Sequence, residues 1–240
     1  MNTKSVFHFD PKTREFLGES FAMQSPLQPG HYLLPSNATF DTPPACAANE
    51  VAVLIDGIWE RRPDWRKTKL YSILDGSEVV IDKIGVTPAD VDATDLQRPD
   101  EGHAWKKGKW IADAGLQEKV LARKQNQKWA AIKAERDRRI NSGGYRVGDK
   151  WYHSDQISRV QQQNLFLMGD AIPSNLQWKT MDGSFVTMTL ELTKQILAAA
   201  SASDQAIFTA AESHKAAMLA ASDPLAYDFS QGWPDQYSIV

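Results

Sequence analysis

The chain has one cysteine, Cys46, so it has no intramolecular disulfide and must be held together by packing. It has no apolar run approaching the roughly 18 residues of a membrane span, and its first residues mix Lys4, His8 and Asp10 with a few apolar ones. Neither a membrane helix nor a signal-type leader is expected, which makes the cytoplasm of the producing cell the default compartment. The net charge is only −3 over 240 residues, which argues against a bulk nucleic-acid binder. The five histidines, at 8, 31, 103, 153 and 214, are scattered and form no metal-ligand spacing. Nucleophile elbow, phosphate loop and dinucleotide fingerprint are all missing.

Two arrangements invite a catalytic reading and fail on geometry. His153, Ser154 and Asp155 are consecutive, so their side chains diverge at a strand-to-helix junction instead of converging as a triad. Ser154 or Asp155 is better explained as a helix cap. Glu135 and Asp137 are two apart on a helical pattern and point away from each other. The expectation is therefore a non-enzyme with no catalytic residues, no metal and no cofactor.

What the chain does have is turn chemistry. Residues 6–9 and 15–17 flank Asp10 and Pro11 and read as a hairpin. From 25 to 48 five prolines deny regular pairing, giving an extended arm that serves either as a linker or as a strap along a partner. Hairpins are then expected about Asp56-Gly57, Asp75-Gly76 and Lys107-Gly108. A turn followed by tryptophan recurs at Trp59, Trp110 and Trp151. Each indole either covers the small core of its sheet or, if exposed, stacks on a sugar ring.

After residue 113 the period changes. A helix is expected from about 116 to 141, polar all round in its middle and stopped by Gly143 and Gly144. Its basic residues read as a solvated face with internal ion pairs such as Glu135 to Arg139, or less simply as a nucleic-acid surface. A hairpin about Gly148-Asp149 follows, then a helix with Ile157, Val160, Asn164, Leu165 and Met168 at three-to-four spacing. A second hairpin is expected to turn at Asp182-Gly183 and to join the first in one small sheet. Residues 189–221 form an alanine-rich helix that Ser201 to Asp204 could break or re-cap, with a small-residue face suited to internal packing or to a homo-oligomer seam. The aromatic tail, Tyr227, Phe229, Trp233 and Tyr237, packs on its own domain or docks on another chain. The fold class is α+β: a β-hairpin-rich region over 1–113, a helical connector over 114–127, and a helix–hairpin–helix–hairpin–helix domain over 128–240.

Two runs carry a family resemblance. The first comprises Lys128, Trp129, Glu135 to Ile140, Gly143, Gly144 and Trp151 to Asp155, followed by residues 176–183. It resembles an uncharacterised C-terminal domain of tail-region proteins in tailed bacteriophages and prophages. The second, residues 32–35, 37–39, Pro43, Pro44, 51–53 and 57–59, is similar to the opening of phage tail fibre assembly proteins. The resemblance spans roughly 32 to 233. It implies a chaperone that binds the distal part of a trimeric tail fibre, with no nucleic-acid or membrane partner. The alternative is a structural or adhesive component kept in the virion tail, touching host polysaccharide through exposed tryptophans. The residues expected to meet a partner are Trp59, Trp110, Trp129, Arg136, Arg139, Tyr227, Phe229 and Trp233.

Overall fold

The computed structural model describes residues 3–238 and shows an α+β chain made of two compact units, the first ending at Gln117 and the second starting at Glu118. In the first unit β1 (Thr3–Phe9) and β2 (Phe16–Met23) form the antiparallel hairpin expected about Asp10, whose carboxylate accepts from the Lys12 and Thr13 N–H groups. A bulge beside the turn separates the register of His8 from that of Phe9. The proline-rich arm is mostly irregular. It nevertheless contributes β3 (Ala38–Thr39) to the free edge of β1, and it carries Tyr32 and Phe40 onto a small core of Val6, Ala22 and Ala38.

β4 (Glu50–Ile55) and β5 (Ile58–Pro63) turn at Asp56 and Gly57, both at positive φ (50° and 82°), the geometry of a type I′ hairpin. The turn expected at Asp75-Gly76 differs. β6 (Leu70–Ser72) pairs with β7 (Glu78–Val79) only at Leu70 and Tyr71, and β8 (Ala93–Thr94) takes its other edge. Asp75 accepts from the Ser77 N–H and hydroxyl, and the Gly76 N–H bonds Ser72 O, so the connection is a wider, side-chain-closed loop. β9 (His103–Lys106) and β10 (Lys109–Ala112) form the last hairpin, turning at Lys107 and Gly108 at positive φ.

α1 (Ala114–Ser142) starts where the Asp113 carboxylate accepts from the Leu116 N–H and runs unbroken for 29 residues. In the second unit β11 (Tyr145–Val147) and β12 (Lys150–Tyr152) follow Gly144, whose φ of 72° ends the helix. α2 (Gln156–Met168) is capped by Asp155, which accepts from the Ser158 N–H. β13 (Gln177–Lys179) and β14 (Phe185–Thr187) lead into α3 (Leu190–Ala220), capped by Thr189.

Four expectations change here. The turn after β13 spans residues 180–184 rather than two residues, because Asp182 folds back to accept from the Thr180 hydroxyl and from the Ser184 N–H and hydroxyl. The two hairpins stay separate two-stranded sheets joined by one bond, Met181 N–H to Trp151 O at 2.9 Å, and by Lys150 reaching Asp182 and Ser184. α3 continues through residues 201–204, because Asp204 is held by Arg159 and is not used as a cap. In α2 the inward residue is Gln162, wholly buried, whereas Ile157, Val160 and Met168 are exposed. Of the apolar residues expected inside, Leu165 packs on the core of Tyr145, Tyr152, Met188, Ile196 and Ala200.

Candidate partner-binding site

The second unit gathers five of the eight residues expected to meet a partner. Trp129 and Arg139 lie on α1, and Tyr227, Phe229 and Trp233 lie on the tail; they surround a patch of Ile132, Ala211 and Met218 with His214 at its centre. The His214 ring is 4.9 Å from the Trp233 ring, 6.0 Å from Tyr227 and 6.4 Å from Phe229, centroid to centroid. Its Nδ1 is 2.9 Å from the Tyr227 hydroxyl. Burial lowers its pKa below the ordinary histidine value, and the Arg139 cation pushes the same way.

Cations on α1 clamp the tail. Lys128 donates to Tyr227 O and lies 5.4 Å from the Phe229 ring centre. Arg139 donates to Pro234 O and sits 5.1 Å over the Trp233 ring, while Arg138 reaches Gln236. Glu135 holds both arginines, at 2.7 Å and 2.6 Å, and bonding to Arg138 first and then Arg139 lowers its carboxyl to about 2. Beside this strap an open groove of about 620 Å³ runs between small residues of α3, including Ala202, Ala206 and Ala210, and Gly232 to Pro234. Arg136 is apart from the cluster, over the Phe208 ring and bonded to Asp137.

Trp59 and Trp110 lie in the first unit at different hairpins. Trp59 donates its indole N–H to Asp41 O and packs edge-on against Phe16. Trp110 donates to Leu96 O, contacts Trp105 across the hairpin at 5.3 Å and has Arg98 over its ring.

A second polar centre was not singled out from sequence. Arg159 donates to Ser154 O, to Ile140 O and to both oxygens of Asp204, and its guanidinium lies over the Tyr145 ring. The Tyr145 hydroxyl donates to Gln162, and burial pushes its pKa up to about 12. The adjoining cleft is about 220 Å³. Because the Arg159 donors are engaged within the protein, this is a structural knot more than a ligand site. His214 and Arg159 left weak sequence signals: a histidine in phase with Ala211 and Met218, and an arginine four residues after a helix cap.

Among the described residues no group of three or more His, Cys, Asp or Glu is placed to hold a metal, and no helix is long and apolar enough to cross a membrane. Together the fold and site define an α+β protein whose C-terminal tail is bound back by an aromatic and cationic clamp. A family model described as a domain of unknown function (DUF4376) matches residues 123–231, which takes in most of α1, both later hairpins, α2, α3 and the tail up to Gln231. No curated protein and no solved structure matches the chain.

Proposed function

We propose that the chain assists assembly of a phage tail fibre, binding the distal part of the trimer so that it folds in register, and that it is made in the cytoplasm of the producing cell. The observation that carries this reading is the pair of sequence runs resembling tail fibre assembly proteins and phage tail-region proteins. Chaperoning needs contact surface and no reaction centre. Apolar side chains exposed in the first unit, Leu17, Phe21 and Met23 among them, supply such surface. Co-expression with the distal fragment of a neighbouring fibre, followed by affinity capture, tests it. A stable complex, or fibre that becomes soluble and trimeric only with this chain, is the expected result. Unchanged fibre solubility and no complex would refute it for that pair.

A further inference from the structure

β2 has β1 on one side and, among the described residues, no paired strand over most of its other side. Both ends of that second side are taken. The Leu54 N–H bonds Arg14 O just before the strand, and Leu33 N–H bonds Met23 O at its end, followed by Ser25 N–H to His31 O. Backbone groups alternate sides along a strand, so the Met23 carbonyl fixes the phase: the N–H and C=O of Phe21 and Glu19 face the same open side. Neither residue pairs with any strand but β1 among the described residues. The segment bonded to Met23 stops for a clear reason. Extending the Gln24–Tyr32 register would set Pro35 opposite Phe21, and proline has no N–H for that carbonyl.

The open edge is also apolar. Leu17 and Phe21 are each 65% exposed and Met23 58%, and Leu33 beside them is 53% exposed. Between Glu19 and Met23 the strand has no lysine, proline or bulge, the usual devices that stop an edge from recruiting another strand. Glu19 is an exposed carboxylate with no ion-pair partner among the described residues, whereas the neighbouring Glu15 is held by Arg66. We infer that the β2 edge accepts an extended segment of another protein as an added strand, about five residues long, with alternating apolar side chains and a basic residue opposite Glu19. Backbone pairing would supply affinity and the alternating side chains selectivity. A second copy fits less well: antiparallel β2 self-pairing sets Glu19 against Glu19 or against Phe21 and leaves the carboxylate without a cation.

This inference does not depend on the fibre reading and is tested with a synthetic probe. The full chain is titrated with a labelled nine-residue peptide alternating valine and threonine around a central lysine, while amide exchange is followed. Glu19 and Phe21 amides are expected to exchange freely in the free chain and to become protected with peptide. N-methylating the pairing amides of the peptide should weaken binding on the order of tenfold or more. Phe21→Pro removes the outward donor together with the exposed ring and should do the same while keeping the thermal transition. Glu19→Lys should weaken the lysine peptide about fivefold and favour a glutamate peptide instead. The inference is overturned if the lysine peptide does not bind, or if binding ignores both N-methylation and the charge swap. Protection of these amides without peptide, rising with protein concentration, would also overturn it and assign the edge to a second copy. Should Phe21→Pro fail to fold, N-methylation and the charge swap decide.

Discussion

Replacing Arg159 by methionine tests whether the second unit is held by a polar knot. The substitution keeps much of the side-chain volume and removes four bonds: to Ser154 O at 2.6 Å, to Ile140 O at 3.0 Å, and to Asp204 at 2.7 Å and 2.9 Å. Ile140 O is one of the last carbonyls of α1, which have no partner within the helix, so losing the Arg159 bond frays that end. Each stranded carbonyl costs about 1 kcal/mol. The arginine and aspartate side chains are 24% and 31% exposed, so water partly screens the pair and its loss adds about 1 kcal/mol, not the several expected of a fully buried pair. The total is about 3 kcal/mol, or a fall in melting temperature on the order of 10 °C. Far-ultraviolet circular dichroism follows it, because α2, α3 and most of α1 lie in this unit. Adding Asp204→Leu should return about 1 kcal/mol by removing the carboxylate left without its partner. A loss below about 1 kcal/mol, or a double variant as unstable as the summed single ones, would refute the knot.

Three further outcomes are expected. His214 is buried and its pKa is lowered, so the unfolded chain binds the proton more readily than the folded one. Its contribution is full above about pH 6.5 and falls away below it; melting temperatures at pH 7.5 and 5.5 should diverge in the parent and converge in His214→Phe, and equal pH dependence in both would count against this. Gly144→Ala puts a Cβ against the Met181 sulfur and Tyr152 O at a φ of 72°, and should cost about 2 kcal/mol or more by denaturant melt; a loss under about 0.5 kcal/mol would show that Met181 moves aside. Trp110→Phe keeps an aromatic ring on Trp105 but deletes the donor to Leu96 O, and should cost about 1 kcal/mol in the first unit, with no loss meaning that water replaces the indole.

The sequence was most legible where one local rule decided the structure. Asp56-Gly57 and Lys107-Gly108 gave tight hairpins because positive φ at both central residues left little else open, and Gly143 and Gly144 ended α1 where expected. It was least legible where a side chain found a distant or competing partner. Asp182 bonds Thr180, Ser184 and Lys150, which moves the turn and shifts the register by one residue. Asp204 could have capped a new helix, but Arg159, 45 residues earlier in the chain, holds it. The three-to-four pattern of α2 pointed its Ile157 and Val160 inward, yet the helix is turned so that Gln162 meets Tyr145 and His153 O. A buried glutamine with two partners costs little, and a periodicity of apolar residues cannot reveal it. The candidate site was legible residue by residue in Trp129, Arg139, Tyr227, Phe229 and Trp233, and its centre, His214, showed only as a histidine in phase with Ala211 and Met218.

One physical need accounts for where several of the indoles and cations went. No sheet in the described residues has more than three strands, and four of the six are two-stranded hairpins, which bury too little apolar surface to stand alone. The first unit compensates with side-chain donors that bind backbone carbonyls: Trp59 to Asp41, Trp110 to Leu96, and Arg98 to Asp75, Glu101 and His103. Arg66 adds a two-carboxylate clasp, held between Glu15 and Asp64, whose pKa values it depresses. Lys128, Arg139 and Arg159 serve the second unit in the same way. Indole N–H and guanidinium groups spent on carbonyls have few donors left for a partner, although ring faces remain. Among the described residues the β2 edge keeps backbone groups and apolar side chains that no other strand covers. A partner is therefore best sought among extended chains that bring their own hydrogen bonds, and less among ligands that need donors from the protein's side chains.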